Sequence, residues 1–168
     1  MLRAISLAEA FKYTAKPNPV VGALLVSETG IISEGSHERF GENHAEINAI
    51  NNARKLLGKS FNSFEDLTLV CTLEPCSHFG KTGPCAEAIA QIGIKKVIIG
   101  ALDPNPLVAG KGIDLLIKND VKVEVGLCQE LVKEQNKFFF FKHEKMKPYV
   151  TVKTVSYTHL TLPTNREV

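Results

Sequence analysis

Apolar residues recur at helical spacing from the start of the chain. Leu2, Ile5, Leu7, Ala8 and Phe11 share one face and predict a helix from Leu2 to about Tyr13, stopped by Pro17 and Pro19, which bracket Asn18. The run VVGALLV (Val20 to Val26) and a run opening at Ile31-Ile32 then read as strands around a hairpin turn, Ser27-Glu28-Thr29-Gly30. From His44 to Leu57, Ile47, Ile50, Ala53, Leu56 and Leu57 return to helical spacing, with Gly58 as the stop. A short strand (Leu67 to Thr72) and a Gly/Pro-punctuated loop follow, then a helix from Pro84 to about Ile92. Lys95 to Ala101 reads as a buried strand, ending at Asp103-Pro104-Asn105-Pro106. A helix near Ile113 to Asn119, an alternating strand (Val121 to Val125) and a final helix from about Gln129 complete the pattern. Phe138 to Phe141 reads as a packed face of that helix. Strands alternating with helices predict a layered α/β domain whose later strands run parallel.

The length, 168 residues, suits one domain that can bury a core without disulfides. Lys and Arg number 20 against 18 Asp and Glu, a net charge of +2, which argues against nucleic acid or an anionic membrane as a partner. No stretch approaches the roughly 18 to 20 apolar residues of a membrane span. Glu9 and Lys12 interrupt what would be the apolar region of a signal peptide. The expectation is a soluble, cytoplasmic protein, with a homo-oligomer left open. Ser156 to Val168 carries no period and continues no element; it is read as a disordered or artefactual tail.

Four cysteines are too few for a disulfide framework, and in a cytosolic chain clustered cysteines point to metal or catalysis. Cys71 and Cys128 each follow an apolar run and read as buried small residues. Cys76 and Cys85 differ: both follow a proline in the punctuated loop. With His44 they offer one imidazole and two thiolates, a normal set for a catalytic zinc that keeps its fourth position for water. Such a zinc brings the pKa of water down from about 15.7 towards about 7. Glu46, two positions beyond His44, is then free to take that water's proton and pass it on. His-x-Glu followed by Pro-Cys-x-x-Cys, with the Glu not a ligand, is the signature of the zinc deaminases. The departure is the spacing, eight residues between the cysteines in place of two. A structural zinc is the competing reading, but such sites normally have four protein ligands and only three converge here. Within the long spacing, Ser77 to Gly83 offers glycines and Lys81 as a phosphate grip.

TLEPCSHFGKTGPC, with PNPVVGA and GSHERFGENHAE upstream and GALDPNP downstream, resembles the deaminase domain of the bifunctional riboflavin-biosynthesis deaminase/reductase family, from Met1 to about Lys153. The resemblance implies a cytidine-deaminase-like three-layer α/β/α sandwich with a mixed central sheet. It implies deamination of 2,5-diamino-6-(5-phosphoribosylamino)pyrimidin-4(3H)-one to 5-amino-6-(5-phosphoribosylamino)uracil and ammonia. His44, Cys76 and Cys85 would hold one zinc per chain and Glu46 would shuttle protons. Asn18 would read the pyrimidine, its loop pre-organised by the flanking prolines. His37, Lys81, Asp103 and Asn105 would hold the ribose phosphate. Against these stand a solvated His37 and a capping or turn role for Asp103 and Asn105. By the same likeness, residues 1–146 form the deaminase domain and 147–155 the remnant of a reductase's first strand. Reductase activity and NADPH are then not expected. Two other readings compete: a zinc deaminase of free nucleosides, nucleotides or RNA, and a zinc-binding scaffold without turnover.

Overall fold

In the computed structural model, which describes residues 1–58, 63–78, 83–106 and 108–154, the chain runs α1 (Leu2–Glu9), β1 (Gly22–Ser27), β2 (Gly30–Ser36), α2 (Ala45–Leu57), β3 (Thr68–Leu73), α3 (Cys85–Gln91), β4 (Lys96–Ala101), α4 (Lys111–Lys118), β5 (Lys122–Val125), α5 (Gln129–Gln135) and α6 (Lys137–Lys145). The strands form one sheet in the order β2-β1-β3-β4-β5. β1 pairs antiparallel with β2 and with β3, whereas β3, β4 and β5 are parallel. The sheet is mixed, with the parallel later strands that the alternation predicts. Ser27 pairs with Gly30, so Glu28 and Thr29 form the expected tight turn, and the register shifts once between Leu25 and Val26.

Side-chain alternation sorts the strands' residues to two faces. Ala23, Leu25, Leu69, Cys71, Val97 and Ile99 pack on one face with Ala49, Ile50 and Ala53 of α2, Ile89 of α3 and Leu116 of α4. Leu24 and Val70 point the other way, onto Ala4 of α1, and Val132 of α5 packs on that face over Gly100; at the strand ends Leu73 and Ala101 meet Val132 and Phe140 of α5 and α6. The result is helix, sheet, helix. α2 lies close on β2 because Gly35 has no side chain: a Cβ there would collide with the Ala45 carbonyl and the Ala49 nitrogen. Asn48 and Asn52 fix its rotation by donating side-chain N–H to the carbonyls of Ser36 and Glu34, 2.8 Å each.

Three expectations need correction. Leu2 begins the first helix as predicted, but it ends at Glu9 and gives way to turns. The final helix is two: Asn136 at φ −107°, ψ 24° breaks it into α5 and α6. Cys128 is not a buried residue but a half-exposed one with left-handed backbone (φ 60°), opening α5 beyond the end of β5. Residues 147–154 form neither helix nor strand, although Tyr149 packs its edge against Phe138 and Phe141. Residues 156–168 lie outside the described residues. Among the described residues, no helix is long and apolar enough to cross a membrane.

Candidate active site

Parallel strands place their carboxyl ends on one edge of a sheet, and the crevice beyond them is where α/β folds bind ligands. β3 ends at Leu73 and runs into Glu74-Pro75-Cys76; its neighbour β4 ends at Ala101 and runs into Asp103 and Asn105. A cavity of about 280 Å³ opens at this edge. Asn18, His37, His44, Glu46, Cys76, Asp103 and Asn105 all line it. Seven of the nine residues singled out in the sequence therefore share one wall. Cys85 lies just behind, fully buried, and Lys81 falls outside the described residues.

His44 precedes α2 in extended backbone, so its ring projects from the helix start. Its Nδ1 is 3.5 Å from Cys76 Sγ and 3.3 Å from Cys85 Sγ, and the three donor atoms lie within 4.8 Å of one another. A zinc about 2.1 Å from nitrogen and about 2.3 Å from sulfur sets tetrahedral edges of about 3.6 Å between them, so the donor set fits that ion in both chemistry and spacing. α3 fastens the site from behind: the Cys85 N–H donates to Cys76 Sγ at 3.4 Å and the Ala86 N–H to the Cys76 carbonyl at 3.0 Å. Cys76 is drawn towards the thiolate by hydrogen bonds from the Cys85 thiol and His44, while Cys85 is pushed up by Cys76 and by burial. A cation entering such a set displaces the protons these groups share.

Glu46 is 3% exposed, in the first turn of α2 beside His44. Burial pushes its carboxyl up to about 7, against the pull of His44. His37 is also buried, and both its ring nitrogens are engaged: Nε2 accepts from Asn18 Nδ2 at 3.0 Å and Nδ1 donates to the Asn43 carbonyl at 3.1 Å. Burial lowers its pKa, so it meets the cavity as a neutral ring and not as a cation. Asp103 is likewise pushed up, first by burial, and its Oδ1 accepts the Asn105 N–H at 2.8 Å in a tight turn. That turn role and a cavity-lining role thus coexist in one residue.

Glu74, His78 and Phe139, none of them a site residue expected from the sequence, also line the cavity. Glu74 carried a visible signal, a carboxylate at the end of a buried strand next to Pro-Cys. Phe139 did not, because a helix face that packs and one that lines a cavity share the same spacing.

The chain matches the family described as cytidine and deoxycytidylate deaminase zinc-binding region over residues 1–101. It is 49% identical over 140 residues to a diaminohydroxyphosphoribosylamino-pyrimidine deaminase of Buchnera aphidicola (subsp. Schizaphis graminum), covering 83% of this chain and 90% of that protein. To the riboflavin biosynthesis protein RibD of Aquifex aeolicus it is 44% identical over 153 residues, 91% of this chain but 41% of the relative. A Thermotoga maritima diaminohydroxyphosphoribosylaminopyrimidine deaminase/5-amino-6-(5-phosphoribosylamino)uracil reductase structure superposes with a TM-score of 0.81 and 43% identity, over 89% of this chain and 41% of that one. The chain thus spans about two fifths of the RibD-length relatives and nine tenths of the Buchnera deaminase.

Proposed function

The chain belongs to the cytidine and deoxycytidylate deaminase zinc-binding family, and from that premise we propose that it hydrolyses 2,5-diamino-6-(5-phosphoribosylamino)pyrimidin-4(3H)-one to 5-amino-6-(5-phosphoribosylamino)uracil and ammonia. One observation carries the reading: His44, Cys76 and Cys85 converge within 4.8 Å, beside a buried Glu46, on a cavity of small-molecule size. The names borne by the Buchnera and Thermotoga relatives support the substrate.

In this reading His44, Cys76 and Cys85 hold one zinc. When bound, the ion supplies water acidified enough to attack at neutral pH. Glu46 takes the proton that water gives up and hands it to the ring nitrogen beside the amine-bearing carbon. That carbon becomes tetrahedral; Glu46 then takes the proton of its new hydroxyl, which closes to the carbonyl, and delivers it to the amine, which leaves as ammonia. Water is consumed and no electrons move, so the reaction has no use for NADPH. Asn18 is fixed by His37 and reads the pyrimidine edge. Asp103, an anion once ionised, suits the ribose hydroxyls better than the phosphate, which is left to Lys81 and backbone N–H groups. Asn105 adds an amide beside them, and His37 serves this end of the site through Asn18. Residues 1–146 act as the deaminase unit, since Phe139 of α6 still lines its cavity; 147–155 are in sequence the remnant of a reductase's first strand, although 147–154 form no strand here, and 156–168 belong to neither.

The test is ammonia release from purified protein given this substrate, with cytidine and dCMP in parallel and metal counted on the same sample. Ammonia from the phosphoribosyl compound alone, with about one zinc per chain, is expected. Turnover of cytidine or dCMP instead would overturn the substrate, and zinc without turnover of any of them would favour a scaffold.

A further inference from the structure

Glu74 is a carboxylate that the reaction above does not use, yet it is only 4% exposed. Its own N–H donates to the Ala101 carbonyl at 3.0 Å, which ties the end of β3 to the end of β4. Its side chain reaches further. Oε2 accepts the Asp103 N–H at 3.3 Å and the Gly110 N–H at 3.1 Å, and Oε1 accepts the Gly112 N–H at 3.1 Å. All three donors belong to the stretch between β4 and the first turn of α4, the stretch that carries Asp103 and Asn105. A buried carboxylate needs such partners, and a loop with three backbone donors converging on one anion has little freedom to rearrange.

The loop also lies close to the metal-binding segment. A Cβ on Gly112 would collide with the Pro75 carbonyl oxygen, so α4 begins in contact with the peptide that precedes Cys76. Gly110, at φ 79°, supplies the left-handed turn that aims its N–H at Glu74. Glu74 thus stands between two parts of the site: next in sequence to Pro75-Cys76, and hydrogen-bonded to the loop of Asp103 and Asn105.

We propose that Glu74 is a positioning residue, which holds the backbone at Asp103, Gly110 and Gly112 in register with the Cys76 segment and so sets the affinity of the site for its phosphoribosyl substrate without touching the reacting atoms. The effect on affinity rests on the function proposed above; the ordering of the loop does not.

Native-state amide exchange separates the two. In the wild-type protein the Asp103, Gly110 and Gly112 amides should be protected; if they exchange like open loop amides, the proposal is wrong without any variant. Glu74→Gln keeps the volume but turns one oxygen into a donor facing another donor. Exchange at Asp103, Gly110 and Gly112 should quicken about 30-fold, about 2 kcal/mol, with β3 and β4 amides and zinc content unchanged. Glu74→Asp keeps the charge, falls one methylene short, and should give the same regional signature should the Gln variant fold poorly. Uniform acceleration, or none, overturns the proposal. With the phosphoribosyl substrate, KM should rise at least about tenfold and kcat change less than about threefold; a fall in kcat at unchanged KM would overturn the positioning role. If the regional signature is present while wild type releases no ammonia, the functional reading has failed and the ordering role stands.

Discussion

Asn136, which breaks the last helix in two, should be among the costliest side chains to truncate. It is 5% exposed and closes a two-point clasp on Val20, itself 5% exposed: Oδ1 accepts the Val20 N–H at 2.8 Å and Nδ2 donates to the Val20 carbonyl at 3.0 Å. The partners are 116 residues apart in sequence, and Asn18 lies two positions before the clasp. Asn136→Ala leaves both backbone groups of Val20 buried without a partner. Each such group costs about 1 to 3 kcal/mol, so the pair should cost about 2 to 6 kcal/mol, with the lower end reached where water fills the gap. For a domain of this size 3 kcal/mol lowers Tm by about 6 to 12 °C. Urea unfolding of wild type and variant measures the difference, with Gln135→Ala as the control. Gln135 donates to the Ile5 carbonyl at 2.8 Å from a partly exposed position, and its loss should cost no more than about 1 kcal/mol. If Asn136→Ala unfolds within about 0.5 kcal/mol of wild type, or no more easily than Gln135→Ala, the reasoning from buried unpaired backbone is refuted.

Three more outcomes are expected. Glu46→Gln should retain about one zinc per chain while ammonia release falls about 10² to 10⁴-fold, the usual worth of a positioned proton carrier; metal loss in parallel would mean that Glu46 supports the ligands instead. Asp103 has its folded pKa raised above its ordinary 3.8 by burial, so its contribution to stability is present below that value and is lost as pH rises through the folded pKa. Asp103→Asn can still accept the Asn105 N–H, and its stability relative to wild type should therefore grow as pH climbs from about 4; a variant that loses stability relative to wild type over that range in paired urea titrations would contradict the burial argument. Gly35→Ala forces a methyl into the α2 backbone and should cost about 1 to 3 kcal/mol by thermal unfolding, with an unchanged Tm counting against the close approach.

The sequence disclosed most of this architecture because the strands alternate cleanly: Ala23 and Leu25 against Leu24, Leu69 and Cys71 against Val70. The hairpin at Glu28-Thr29 was legible for the same reason that Gly30 is there. What stayed hidden depends on contacts distant along the chain. Nothing local marks Asn136 as a helix break, since its cause is a backbone 116 residues away. Cys128 follows an apolar run, but β5 is an edge strand, so the run ends at the surface. In the site, His-x-Glu and the two Pro-Cys pairs were readable because metal chemistry needs particular atoms. His37, which the likeness gives to the ribose phosphate and which could as well have been solvated, is buried with both ring nitrogens engaged, by Asn18 and Asn43.

The positions of the donors along the chain also impose an order of assembly. His44, Glu46, Cys76 and Cys85 are all synthesised before Asp103, Asn105 and Phe139, which complete the wall. At about 5 to 20 residues per second, the 116 residues between Val20 and Asn136 take about 6 to 23 s to make. Throughout that interval the segment bearing Asn18 has no clasp. On the proposed function, a nascent chain would therefore bring His44, Cys76 and Cys85 together seconds before Asn18 is clasped to read a substrate.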